Sequence, residues 1–287
     1  MRSKRHFFNA GRHSVCLDTD ISWLFEWVNN LYPAEPQNDN AFSDFHINIA
    51  SHRELGSLFT KQAKFTFAER SFFNPLAYEH AFPLMEWGLN WCVTNHLNDF
   101  TIIHAAVLAK GNKGVILPGA PGAGKSTLCA ALAFQPGWRL LSDELTLFCS
   151  DTATIFPNPR PIALKDGSIN VIKHRHPELS FTQEIADTHK GTIAYLKPPE
   201  FALTEINTPA QPRLLIFPKY QPSSALELRA LPPANAMMRL AEQTFNYGIL
   251  GEKAFTALNQ FVRLCDCYEL EYDGNLDHAV EQIEALL

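Results

Sequence analysis

One short segment of this sequence has the residue types and spacing of a phosphate-binding loop. It matches the pattern G-x-x-x-x-G-K-[ST] at every fixed position, and its residues are Gly119, Ala120, Pro121, Gly122, Ala123, Gly124, Lys125 and Ser126, followed by Thr127. Glycines let successive backbone N–H groups turn toward phosphate oxygens, and a helix start adds partial positive charge. Lys125 is then placed to reach the β- and γ-phosphates, and the Ser126 hydroxyl to bind Mg²⁺. The segment therefore predicts a site for ATP and Mg²⁺.

A pair of acidic residues is the second feature with chemical potential. Asp143 and Glu144 follow an apolar segment, and Asp143 comes 18 residues after Lys125. This spacing leaves room for one helix, a tight turn at Pro136-Gly137 and one strand. Ligands bind at the carboxyl ends of parallel strands, so the acids are expected near the loop. A carboxylate there binds Mg²⁺ or accepts a proton from an attacking hydroxyl, whereas a turn or helix-cap acid is the structural alternative.

Four further residues are weaker candidates when each is considered by itself. His104 lies inside an apolar strand, where a hydrogen-bonded core histidine is the usual interpretation. Arg160, Lys165 and Lys190 are candidate phosphate contacts, and solvated surface charge is the alternative for each of them.

The elements that must position these residues are expected to alternate between strands and helices. Apolar strands at about 101–109 and 114–118, joined by a glycine-containing hairpin, precede the loop, and a helix over about 125–134 follows it. Further predicted strands are about 45–49, 65–67, 138–142, 214–217 and 268–272. Further predicted helices are about 20–31 (capped by Asp20), 83–96, 233–245, 252–265 and 276–287, and 33–44 is expected to be a loop. The pattern predicts an α/β fold with an N-terminal α+β region at 1–99 and a catalytic domain at 100–287.

Composition excludes several other classes of protein. The chain has 287 residues, 46% hydrophobic and 19% charged, which is typical of a globular protein. Its net charge of −6 provides no general attraction for nucleic acid, and its apolar runs are too short to span a bilayer. The six cysteines lack zinc-site spacing, so we expect reduced thiols and a cytoplasmic location.

Several segments of this sequence, taken together, resemble the C-terminal catalytic domain of HPr kinase/phosphorylase, and most closely the HprK-related kinase A group. The resemblance is carried by residues 104–107, the 119–126 loop and the stretch 138–144, together with 86–92, 160–165, 190–192, 197–199 and 245–247. It therefore extends over nearly the whole chain. It implies a P-loop kinase fold shared with phosphoenolpyruvate carboxykinases.

The resemblance also implies roles for individual residues. Asp143 matches the base that takes the proton from a substrate serine, Ser126 matches a Mg²⁺ ligand, and His104 matches a supporting active-site residue. Where HPr kinases have a second aspartate this chain has Glu144, and a metal-binding glutamate of the downstream signature has no match here. Glu144 and Asp166 are therefore the candidates for the second metal contact. The group is associated with peptide-modification gene sets, which implies a peptide or protein hydroxyl as acceptor.

Two other functions remain compatible with the same residues. One is a kinase for a small-molecule hydroxyl. The other is a P-loop ATPase or nucleotide sensor, because the segment 140–144 also resembles a strand that ends in a water-activating glutamate. Residues 1–99 carry no catalytic pattern and are expected to bind the acceptor, to form a homo-oligomer contact or to cover the sheet.

Overall fold

The protein is a mixed α/β structure built on three sheets. The computed structural model describes residues 4–33, 42–53 and 61–287. The expected loop at 33–44 therefore lies largely outside the described residues.

The N-terminal part has its own sheet, with strand order β1-β2-β3-β4-β5, in which only the β2/β3 pair is parallel. Its elements are β1 (Lys4–Ala10), β2 (His13–Thr19), α1 (Ser22–Leu31), β3 (Phe45–His52), β4 (Gln62–Phe67), β5 (Leu76–Ala77) and α2 (Ala81–His96). Asp20 does not cap α1, contrary to expectation. Its carboxylate instead accepts the backbone N–H of Ser51 on β3 at 2.7 Å, which connects the start of α1 to the sheet.

The second part contains the large sheet, with strand order β10-β9-β6-β7-β14-β16-β15 and with β8 also paired to β6. Its first elements are β6 (Thr101–Lys110), β7 (Lys113–Pro118), α3 (Lys125–Ala133), β8 (Trp138–Ser142), β9 (Leu145–Cys149), β10 (Thr154–Phe156), β11 (Ile162–Lys165), α4 (Gly167–Arg175), β12 (Ile185–Thr188) and β13 (Gly191–Leu196). The remaining elements are α5 (Glu200–Thr204), β14 (Gln211–Tyr220), β15 (Glu227–Ala230), α6 (Pro233–Glu242), α7 (Tyr247–Leu250), α8 (Glu252–Leu264), β16 (Asp266–Tyr272) and α9 (Leu276–Ala285). Strands β11, β13 and β12 form a separate three-stranded sheet.

Helices cover both faces of the large sheet, which explains the continuous apolar runs in its central strands. Val115 and Leu117 of β7 belong to the cluster that includes α3, α4 and α9. Ile116 between them belongs to the opposite cluster, which includes α6 and α8. A strand that is buried on both faces loses the alternation of polar and apolar residues.

Helix α2 is buried where the two parts of the protein meet. It belongs to a cluster that contains α1, the N-terminal sheet, Leu145 and Leu147 of β9, and Tyr195 of β13. Gly88 allows α2 to approach β4 closely, because a Cβ atom there would lie 2.0 Å from the Phe65 ring. The prediction of a helix that is apolar nearly all round and buried between two halves is confirmed.

A buried charged network also connects the two parts. The Arg160 guanidinium donates to the Glu86 carboxylate of α2 at 2.7 Å and to the Glu86 carbonyl at 3.1 Å. The other Glu86 carboxylate oxygen accepts the hydroxyl of Tyr32, which directly follows α1. Burial acts to lower the pKa of Arg160, but Glu86 and Tyr32 outweigh it and raise that pKa above its usual value.

Replacing Arg160 with methionine is expected to destabilise the fold strongly. The change leaves the Glu86 carboxylate buried without its cation, and breaking such a pair costs about 3–5 kcal/mol. Denaturant titration measures the free energy of unfolding. Arg213→Met, which breaks the exposed pair with Asp266, is the matched control and should cost less than about 1 kcal/mol. A loss for Arg160→Met no larger than that of the control would contradict the structural role of the network.

Candidate active site

The candidate residues meet at one edge of the large sheet because of its strand directions. Strand β6 lies between β7 and β8 and is antiparallel to both, so β7 and β8 end at the same edge. The glycine-rich loop follows β7, and Asp143 follows β8. His104, near the beginning of β6, lies at this edge as well. The expectation that the acids come close to the loop is therefore met, with β6 inserted between the two strands.

The loop itself is a glycine-rich turn with positive φ angles that leads into a helix. Gly122 and Gly124 have φ angles of 85° and 90°, which favour glycine, and α3 begins at Lys125. The Lys125 ammonium donates to the carbonyl of Gly119 and, at 3.2 Å, to that of Ala120, which holds it over the loop. Burial is the main cause that lowers the pKa of Lys125.

Gly124 also has no room for a side chain, because Tyr272 lies directly against it. A Cβ atom at Gly124 would lie 2.0 Å from the Tyr272 hydroxyl oxygen, whereas one at Gly122 meets no atom within 4 Å. Gly122→Ala should therefore cost only the backbone strain of about 1–2 kcal/mol, and Gly124→Ala should cost more and weaken phosphate binding. Thermal unfolding and MgATP titration measure the two effects. Adding Tyr272→Phe to Gly124→Ala should recover part of the lost stability, whereas adding it to Gly122→Ala should recover none. If the two alanine substitutions have equal effects, the steric explanation is wrong.

Asp143 is a buried carboxylate whose proton affinity is shifted toward neutral pH. Its Oδ2 accepts the backbone N–H of Ala163 at 3.2 Å, and among the described residues its Oδ1 has no hydrogen-bond partner. Burial, followed by the adjacent charge of Glu144, raises the pKa of Asp143 to about 6. A base of this kind is ionised at pH 7 and still has appreciable affinity for a proton.

Glu144 has a different environment although it is the next residue. Its carboxylate accepts the side-chain amide of Asn90 at 2.6 Å and lies 3.7 Å from the Lys190 ammonium. Burial acts to raise the pKa of Glu144, but the charges of Lys190 and Arg160, together with the Asn90 hydrogen bond, outweigh it and lower that pKa. Glu144 is therefore ionised next to Asp143.

His104 is neutral at physiological pH. Burial, with a contribution from the nearby Lys125, lowers its pKa to about 4. The imidazole packs against Phe245, with ring centroids 5.4 Å apart, and its own backbone N–H donates to the Gln243 carbonyl at 2.7 Å. The ring lines the same cavity as Lys125 and Asp143.

The three basic candidates are placed differently. Lys165 and Lys190 line the cavity with Lys125, and burial followed by the charge of Lys190 lowers the pKa of Lys165. Arg160 lines it too, but its charge is paired with Glu86. Asp166, an alternative metal contact, accepts the backbone N–H of Thr192 at 3.0 Å and also borders the cavity.

A cavity of about 970 Å³ joins all of these residues. Several wall residues carry no signal in the sequence that marks them as site residues, namely Glu86, Trp87 and Asn90 of α2, Asn158, His189, Tyr195, Tyr220 and Tyr272. Within α2, residues 86–92 contribute only to the family resemblance described above. Its helical residues carry no catalytic pattern, and more than 50 residues separate Asn90 from Glu144.

The oxygen donors of the site fit Mg²⁺. Ser126, Asp143 and Glu144 all line the cavity, and hydroxyl and carboxylate oxygens are the ligands that this hard cation takes. The unpartnered Oδ1 of Asp143 is consistent with such a contact.

No protein-family model matches this chain, and no curated protein matches it significantly. The fold and the site therefore define the molecule only as a mixed α/β protein with a strand, glycine-rich loop and helix beside a buried carboxylate. Among residues 4–33, 42–53 and 61–287, no helix combines the length and apolar character needed to cross a membrane.

Proposed function

We propose that this protein is an ATP-dependent phosphotransferase that moves the γ-phosphate to a hydroxyl group. The observation that carries the proposal is the convergence, at one sheet edge, of the glycine-rich loop, Lys125 and the buried carboxylate of Asp143. An anion-binding loop alone is compatible with many functions. A buried carboxylate lies beside it, and because its pKa is raised to about 6 it can accept the proton of an attacking hydroxyl at neutral pH.

The residues would act by positioning and by charge. The backbone N–H groups of the loop and Lys125 would bind the phosphates, and Lys165 would add positive charge as the transferred group passes to the acceptor. Ser126, with Glu144, would hold Mg²⁺, which neutralises phosphate charge when bound. Asp143 would orient the acceptor hydroxyl and take its proton. The neutral His104 would offer a hydrogen bond without adding a charge.

The family that we propose is the HprK-related kinase A group of P-loop kinases. The most specific parts of the resemblance are His104, the 119–126 loop and Asp143. They lie around one cavity, as a shared active site requires. This family implies a peptide or protein hydroxyl, serine in particular, as the acceptor. A small-molecule hydroxyl is the second candidate, and the buried side chains that line part of the cavity favour it. A water-activating role for Glu144 is less favoured, because Asn90 and Lys190 already engage its carboxylate.

A labelling experiment tests the proposal. The purified protein is incubated with Mg²⁺ and γ-labelled ATP in a lysate of its own host, and Lys125→Ala serves as the control. Label is then measured in macromolecules, in acid-soluble organic compounds and in free phosphate. Lys125-dependent label in either of the first two fractions is the expected result. Lys125-dependent release of free phosphate alone would indicate an ATPase, and no difference from the control would refute the proposal.

A further inference from the structure

The order of side chains along the sheet edge indicates from which side an acceptor approaches. Tyr220 and Tyr272 end β14 and β16, which run parallel to β7 on the side away from β6. The loop therefore lies between these tyrosines on one side and His104 and Asp143 on the other. If Asp143 is the base, the γ-phosphate points toward β8 and the nucleoside toward the tyrosines. The acceptor must then enter on the β8 side.

On that side the cavity continues into a space between the two parts of the protein, which we call the acceptor chamber. Its wall is formed mainly by Trp87 and Asn90 of α2, Glu144, Arg160, Lys190 and Tyr195, which are part of the lining of the single cavity described above. The ring of Trp87 on α2 packs against His189, with centroids 4.2 Å apart, and the Lys190 ammonium lies 5.5 Å from the centroid of the same ring. These contacts hold the turn between β12 and β13 against α2.

The inner end of the chamber closes on buried residues. Glu86, Ile193 and Tyr195 are exposed by only 5%, 1% and 2%, and Arg160 by 8%. A folded protein surface does not reach such an end, whereas a small molecule does.

The charges in the chamber wall are paired within the protein. Arg160 is paired with Glu86 at 2.7 Å, and Lys190 with Glu144 at 3.7 Å. His104, at the border with the loop, is neutral at physiological pH. Among the described residues, Lys125 and Lys165 have no such acidic partner, so their ammonium groups are available to bind the phosphates. The wall therefore offers no net charge to an acceptor.

What the wall offers instead is neutral hydrogen bonding. The Asn90 amide nitrogen donates to Glu144, but among the described residues the Asn90 Oδ1 has no partner although it is buried. A buried amide oxygen without a partner costs free energy, and a ligand hydroxyl would satisfy it. Tyr195 and His104 add a phenol and a neutral imidazole to the same lining.

We propose that the acceptor chamber binds a small, uncharged polyhydroxyl compound, such as a polyol or sugar, and that Asn90 of the N-terminal region binds one of its hydroxyls. This inference rests on the proposed phosphotransferase function and specifies its acceptor. A second hydroxyl of the compound reacts. Its oxygen forms a bond to the γ-phosphorus, the bond from that phosphorus to the β,γ-bridging oxygen breaks, and the electron pair leaves with ADP. The proton of the hydroxyl passes to Asp143.

The test compares neutral and acidic acceptors of matched shape. The full-length protein is supplied with labelled MgATP and with glycerol, xylitol, ribose or glucose, and in parallel with the corresponding acids glycerate, xylonate, ribonate and gluconate and with N-acetylserine methylamide. At least one neutral compound should be phosphorylated with kcat/KM at least about tenfold above its matched acid and above the serine derivative. The chamber assignment is wrong if an acid or the serine derivative is preferred. It is equally wrong if no neutral compound is phosphorylated while Lys125-dependent MgATP binding persists.

A pair of variants tests the assigned residue. Asn90→Ala should raise KM for the accepted compound about tenfold, with a smaller effect on kcat and none on KM for ATP. Asn95→Ala, an exposed position on the same helix, should change none of these values. An unchanged acceptor KM in Asn90→Ala would remove Asn90 from the site. If the unaltered protein shows no Lys125-dependent MgATP binding at all, it is the proposed function, rather than the identity of the acceptor, that has failed.

Discussion

Asp143→Asn is expected to lower kcat for phosphotransfer by about 10²–10⁴-fold, because general base catalysis contributes about this much. Asparagine keeps the size of the side chain and can still accept the Ala163 N–H, but it cannot take a proton. In the unaltered protein the rate should rise with pH through a midpoint near 6, where the raised pKa of Asp143 places its ionisation. This acidic limb should be absent from the residual activity of the variant. Initial rates from pH 5 to pH 8 measure both effects.

The same substitution is expected to make the fold more stable above pH 6. The folded state holds the Asp143 proton up to about pH 6, whereas the unfolded chain loses it near pH 3.8, the ordinary pKa of an aspartate. Stability of the unaltered protein therefore falls as pH rises through this window, and the loss is on the order of 3 kcal/mol when complete. Asp143→Asn avoids that cost, so its advantage should be present at pH 8 and absent near pH 4.

Asp151→Asn, at an exposed turn, is the matched control for both measurements. It should leave the rate, the pH profile and the denaturant midpoint unchanged. A rate for Asp143→Asn within about threefold of the unaltered protein would exclude Asp143 as the base. If Asp143→Asn and the unaltered protein are equally stable at pH 8, then ionisation of Asp143 in its buried site costs no stability.

Lys125→Ala is expected to weaken MgATP binding by about 30-fold to several thousand-fold and to abolish measurable transfer. Truncating one partner of a desolvated charge pair costs about 2–5 kcal/mol, and 1.4 kcal/mol corresponds to a factor of ten. The ammonium is held over the loop by the Gly119 and Ala120 carbonyls, so little further ordering is needed when phosphate binds. Isothermal titration of the purified protein with MgATP measures the affinity directly.

The control for this prediction is Lys113→Ala, which removes an exposed lysine at the other end of β7. Its affinity for MgATP should equal that of the unaltered protein. Thermal unfolding of both variants establishes that the loop helix is intact. Unchanged MgATP affinity in a folded Lys125→Ala protein would mean that the loop does not bind the phosphates.

The phosphate loop and its flanking elements were predictable because their signals are local. Glycines, the lysine and the serine are adjacent in the chain, and the apolar run before them is long enough to indicate a buried strand. The strand 138–142 matched β8 for the same reason. Its position two strands away from β7, with β6 between, was not predictable, because no local pattern encodes which strands become neighbours.

Other elements were missed because packing removed the usual pattern. In β1, Phe7 and Phe8 are adjacent and both buried, so the alternation expected of a strand with one solvent face is absent. The strands β11, β12 and β13 are only four to six residues long, Asp166 directly after β11 has a positive φ, and Asp187 has a positive φ inside β12, where the pairing register shifts. Short strands of this kind resemble loops in a sequence.

What the sequence determined by itself is the chemistry available at the loop and at the paired acids, because these depend on residue types within a few positions of one another. Only the tertiary structure decided that Asp143 and Glu144 have opposite pKa shifts, since the cause lies in burial and in partners from distant segments. Only the tertiary structure also decided that α2 forms one wall of the cavity. Asn90 reaches Glu144 because a buried helix of the N-terminal part packs against β9, which begins directly after Glu144, and contacts of that range arise from the whole core rather than from any segment of it.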